Sequence, residues 1–166
     1  MWLEKDALSG IFEDVLSPYG VTLNVGRGYD GWSSIHQAAD RLGDGDVVLY
    51  FGDFDASGED MVRSLRERLS SLGCDPTVRK CALTAEDIER YRLPPDFAKA
   101  SDSRRDAFVA VHGDVSVELD ALPAAVLRER LVSEVETRMD LVSLARVKEL
   151  EEQERSRLIS ALEATA

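Results

Sequence analysis

The run Val47-Val48-Leu49-Tyr50-Phe51, set between Asp46 and Gly52, constrains the fold more than any other segment. Its apolar side chains do not alternate with polar ones. A strand made from it therefore has no face to give to water and belongs in a sheet covered on both sides. The flanking sequence supplies the covering layers. Before the run, "WSSIHQAADRL" reads as a helix capped by Ser33 or Ser34 and ended by Gly43; after it, "SGEDMVRSLRERLSSLG" carries Met61, Val62, Leu65, Leu69 and Leu72 on one helical stripe.

The same alternation extends along the chain. "MWLE" is expected as a first short strand, followed by a helix over "DALSGIFEDVLSPYG", and "VTLNV" as a second strand followed by the turn "GRGYDG". "TVRKCAL" is expected as a fourth strand, with a short helix over "TAEDIERY" whose Thr84 and Asp87 suit a helix start. These units imply an α/β fold with a mostly parallel, Rossmann-like central sheet flanked by helices. "RLPPDFAKASDSRR" reads as a loop, "DAFVAVHG" as a helix ended by Gly113, and "VSVELDAL" as a strand with Val115, Val117 and Leu119 alternating against polar residues. From Pro123 onward the chain is expected to be a helical extension, either one helix or a hairpin broken near Asp140. The expected division is thus an α/β domain over 1–122 and a C-terminal helical extension over 123–166.

With 166 residues and a hydrophobic content of 44%, the chain can bury a real core. It has no apolar run of membrane-spanning length and no secretory leader pattern, which predicts a cytoplasmic protein without membrane contact. Cys74 and Cys81 have neither zinc-ligand spacing nor a disulfide framework and read as structural thiols; His36 and His112 read as ordinary helix residues. A net charge of −12 excludes a general nucleic-acid coat, yet residues 61–105 are +3 and the remainder −15. A local basic face and a solvated helix face both fit that distribution.

The acids following the apolar run carry the chemistry. In parallel sheets functional groups collect beyond the carboxyl ends of strands, where "GDFDASGED" places Asp53 and Asp55. Two carboxylates that close suit a hard cation such as magnesium, with manganese as a substitute. The alternative is that Asp53 and Asp55 cap the following helix, with Glu59 and Asp60 favouring its N-terminal end. Glu4, at the end of the first strand, faces the same crevice if strands one and three are neighbours. Glu59, Glu118 and Asp120 are further supporting acids or, on the plainer reading, a helix-start acid and two surface residues.

"WLEKDALSG" together with "YFGDFDASGEDM" resembles the signature of the TOPRIM domain, shared by topoisomerases, bacterial primases and several nucleases. The wording is most like the TOPRIM region of topoisomerase VI A subunits and of small phage and bacterial TOPRIM proteins. The resemblance implies that Glu4, Asp53 and Asp55 are the catalytic, magnesium-binding acids, and that Lys5, Lys99 and Arg104 are candidates for phosphate contacts. It implies nucleic acid, with DNA foremost, as the substrate. Ala56 stands where topoisomerases often carry Pro. None of Tyr19, Tyr29, Tyr50 and Tyr91 matches the tyrosine nucleophile of topoisomerase VI A relatives. The expected activity is therefore magnesium-dependent nicking, cleavage or related processing by metal-activated water. The alternatives are a metal-binding module that docks a protein supplying the nucleophile, with a protein partner or a homodimer formed through the C-terminal helices, and a TOPRIM scaffold that has lost its chemistry.

Overall fold

The computed structural model describes residues 1–26, 32–43, 45–98 and 101–164. Four parallel strands, β1 (Trp2–Leu3), β2 (Asn24–Val25), β3 (Val47–Phe51) and β4 (Thr77–Ala82), form one sheet in the order β2-β1-β3-β4. The helices are α1 (Ser9–Leu16), α2 (Trp32–Ala39), α3 (Ala56–Ser71), α4 (Ala85–Tyr91), α5 (Arg105–His112), α6 (Ala124–Glu136) and α7 (Leu141–Glu163). This is the α/β architecture expected from the alternating segments. Among the described residues no helix is long and apolar enough to cross a membrane.

The central strand β3 explains the two-layer core. Val48 and Tyr50 pack on one side with Ile35, Met61, Val62, Leu65 and Leu69, from α2 and α3. Leu49 and Phe51 pack on the other with Phe12, Leu16, Leu127 and Leu131, from α1 and α6. Phe12 meets Phe51 edge to face, with ring centroids 5.1 Å apart. Each fully buried Leu or Phe contributes about 1.5–3 kcal/mol relative to exposure. The apolar run is thus covered on both faces because both faces have a helix layer.

Local signals account for most boundaries. Gly20 ends the first helical segment in the left-handed region at φ 65°, a conformation that a residue with a Cβ enters at a cost. Thr84 and Asp87 form a reciprocal capping box at the start of α4. Asp140 breaks the C-terminal segment, accepting at 3.0 Å from both the Val142 and Ser143 N–H groups to start α7. Of the segment after Pro123, α6 buries Leu127, Leu131 and Val135 against the sheet side, whereas α7 buries nothing.

Two local expectations are corrected. Ser33 and Ser34 do not cap α2, because the helix already includes Trp32; the turn before it lies outside the described residues. "VSVELDAL" is not a strand of the sheet: Val117 makes an isolated antiparallel bridge to Phe54, Ser116 one to Asp96, and Leu119–Ala121 is a 3-10 turn. Val117, Leu119 and Leu122 are buried all the same. The segment crosses the end of the sheet, where alternate side chains can be buried without a continuous ladder.

Candidate functional site

The register of β1 on β3 pairs Leu3 with Phe51 and brings Glu4 to the carboxyl end of both strands. The Glu4 N–H continues the pairing, donating to the Phe51 carbonyl at 2.9 Å. Glu4 Oε2 then accepts from the Asp53 N–H at 3.0 Å and from the Tyr50 hydroxyl at 3.2 Å. A Cβ on Gly52 would run into the Glu4 carboxylate and the Tyr50 ring, and one on Gly58 would run into the Asp53 carbonyl. These glycines permit close approach rather than a left-handed turn.

Each acid of the cluster uses one oxygen to fix itself. Asp53 Oδ1 accepts from the Leu119 N–H at 2.7 Å, so the segment crossing the sheet end buttresses it. Asp55 is the N-cap of α3, its Oδ1 accepting from the Gly58 N–H at 2.7 Å. The capping alternative therefore holds for Asp55 and not for Asp53. The second oxygen of each carboxylate lies outside these bonds.

Burial, followed by the charge of Asp53, pushes the Glu4 carboxyl up to about 7. Asp53 is also raised, chiefly by burial, against the pull of the Leu119 N–H and the Lys5 charge. The nearby cations do not relieve this directly. Lys80 donates to the Asp53 carbonyl at 2.8 Å and to Glu59 Oε1 at 2.7 Å, rather than to the Asp53 carboxylate. Lys5 pairs with Glu118 at 2.7 Å and Asp120 at 2.8 Å.

Glu118 and Asp120 thus appear in the structure as partners of Lys5, and Glu59 as the partner of Lys80. Arg104 is gripped by both oxygens of Asp102, at 2.8 and 2.9 Å, and reaches Asp60 at 3.0 Å. Lys99 and Tyr29 lie outside the described residues. Cys74 and Cys81 are buried free thiols. His112 meets Phe54 edge to face and lies tilted against Phe108.

Sequence reasoning missed Lys80 and Tyr50. Lys80 was legible in part: its pairing partner Tyr50 stands three residues before Asp53, so a parallel β3–β4 pair brings the lysine toward the acids. Tyr50, inside the apolar run, gave no sign that its hydroxyl would meet Glu4.

Among the described residues no group of three or more His, Cys, Asp or Glu side chains is positioned to hold a metal ion. Glu4 and Asp53 nevertheless form a partly desolvated pair in which the Asp53 charge adds to the raising of Glu4, with Asp55 adding to the negative field at both. One or two carboxylate oxygens plus water is a donor set that suits magnesium, and hydrogen-bonded carboxylates are the usual form of such ligands. No family model, curated protein or solved structure matches this chain.

Proposed function

We propose that this chain is a TOPRIM-type protein that carries out magnesium-dependent phosphodiester chemistry on nucleic acid, with DNA as the foremost substrate. The observation that supports it best is the Glu4–Asp53 pair, drawn from two neighbouring strands and left without a basic side chain bonded to either carboxylate in the described contacts. Magnesium bound by Asp53 and Asp55, with manganese as a substitute, would supply polarisation of a phosphodiester oxygen and a more acidic water. The Leu119 N–H orients Asp53 and the Gly58 N–H orients Asp55, leaving their second oxygens for the cation. Glu4, holding its proton to about 7, can give or take a proton near neutral pH, while the Tyr50 hydroxyl steadies its carboxylate.

The test is plasmid nicking with magnesium or manganese. Asp53→Asn and Asp55→Asn should each reduce it by more than the ~10–100-fold typical of outer-shell groups. Nicking that survives both substitutions overturns the reading.

One observation favours a second reading, a partner-dependent metal-binding module. Among the described tyrosines, Tyr50 alone bonds a crevice acid, and its 1% exposure removes it from a scissile phosphate. Manganese binding without turnover, with cleavage appearing on addition of a chain that carries a nucleophile, selects this reading.

A further inference from the structure

Helix α7 runs for 23 residues, about 34 Å at ~1.5 Å per residue, without burying one of them. Helices in proteins take most of their stability from packing an amphipathic face, and α7 buries no residue of its own. Val147, Leu158, Ile159 and Leu162 are exposed by 47–70%. At 3.6 residues per turn, these residues and Leu144 fall on one stripe about 120° wide, whereas Val142 and Leu150, exposed by 82% and 51%, lie off it. Along its centre lie Leu144, Lys148, Glu151, Arg155, Leu158 and Leu162, spaced alternately by four and three residues. That is the spacing of a coiled-coil seam, apolar at both ends and charged in the middle.

We propose that α7 pairs with α7 of a second copy of this chain, antiparallel, about a two-fold axis level with Gln153. The order of charges selects this occupant and this direction. In a parallel pair in register, Glu151 would lie beside Glu151, Arg155 beside Arg155 and Lys148 beside Lys148. In the antiparallel pair, Glu151 of each copy lies level with Arg155 of the other, twice, and Leu144 lies level with Leu162. Val147 is level with Ile159, and Lys148, level with Leu158, can run its stem along the seam and keep its ammonium in water. Charged groups inside a seam fix register and orientation, and here they do so only head to tail. The end of each α7 also reaches the open groove that Arg128, Val132, Glu136 and Leu141 line beside the start of the other. This pairing is independent of the chemistry assigned to the acidic crevice.

Sedimentation of the full-length protein should give twice the mass of one chain, and Leu158→Glu with Leu162→Glu should return it to one chain. The monomer fold tolerates this pair of changes because both side chains are exposed, and a retained near-ultraviolet circular dichroism signal from Trp2, buried outside α7, checks it. Direction is read by oxidising Leu144→Cys and Leu162→Cys variants, the native Cys74 and Cys81 being buried. Mixed together they should cross-link; alone, neither should, because the like positions are ~27 Å apart along the axis. A monomeric wild type, a dimer indifferent to the glutamates, or self-cross-linking of either cysteine variant overturns the proposal.

Discussion

Asp87 on one side of the molecule and the Glu4–Asp53 pair on another are carboxylates drawn from water and treated in opposite ways. Asp87, its side chain 5% exposed, faces Arg130 at 2.7 and 2.5 Å and closes the capping box of α4. Burial pushes its carboxyl up, but the hydrogen bonds from Arg130 and Thr84 win and hold it below its ordinary value. Glu4 and Asp53 receive backbone N–H groups and a tyrosine hydroxyl, while Lys80 and Lys5 are turned to other oxygens. Both remain raised. A buried acid that joins α4 to α6 has its counter-charge built in; one at the open end of a sheet keeps an unmet demand for positive charge. The contrast separates a joint from a candidate site without reference to any relative.

The largest effect should come from the joint. Arg130→Ala leaves Asp87 buried without its cation and should cost about 3–5 kcal/mol in urea unfolding, with Asp87→Asn on that background recovering part of it. A loss under 1 kcal/mol would erase the contrast.

Glu4 should behave in the reverse sense. Its folded value, about 7, lies above the ordinary 4.5, so the folded state holds the proton more tightly between the two. Its contribution to stability therefore falls as pH rises from about 4.5 through about 7, whereas the Asp87 contribution is present at neutral pH and lost in acid. Glu4→Gln should raise stability at pH 8 by on the order of 2 kcal/mol, after allowance for partial solvent screening, and flatten the decline. Thermal melts from pH 4 to 8 check both; an unchanged slope sinks the account of Glu4.

Asp55 divides the two roles within one residue. Asp55→Ala should cost about 1 kcal/mol through the lost cap of α3, while Asp55→Asn, which can still accept from the Gly58 N–H, should be close to neutral in stability and still lose metal-dependent activity. The smallest effect is expected at Lys5, whose partners Glu118 and Asp120 are well exposed. Lys5→Met should change stability by less than ~1 kcal/mol yet raise the Asp53 carboxyl further, a shift that carbon-detected NMR titration can follow.

Where local periodicity decided an element, the sequence was enough. The apolar run of β3, the stripe of α3, Thr84 with Asp87, and the break at Asp140 all act within a few residues of themselves. The segment 115–122 shows the limit. Its alternation of burial was legible, but a ladder also needs a neighbouring strand of matching length, and among the described residues only Phe54 and Asp96 bridge to it. The site divides along the same line. Asp53 and Asp55 stand out beside the strand that holds them, and Glu4 is implicated once β1 lies against β3. What each lysine would choose between nearby oxygens depends on side-chain geometry across several elements, so the oxygens that Lys80 and Lys5 take could not be read from spacing.

The crevice also has a place in the order of folding. Its bonds span 49 residues from Glu4 to Asp53 and 66 from Asp53 to Leu119, so they form only after long loops have closed. Helices α1 and α3 can gather locally while these acids are still far apart, each titrating as it would in an open chain. Substitutions at the acids should accordingly leave the rate of folding almost untouched and act on the rate of unfolding. The burial that raises Glu4, and the Asp53 charge that adds to it, belong to the finished molecule alone, and both are released as soon as the sheet end opens.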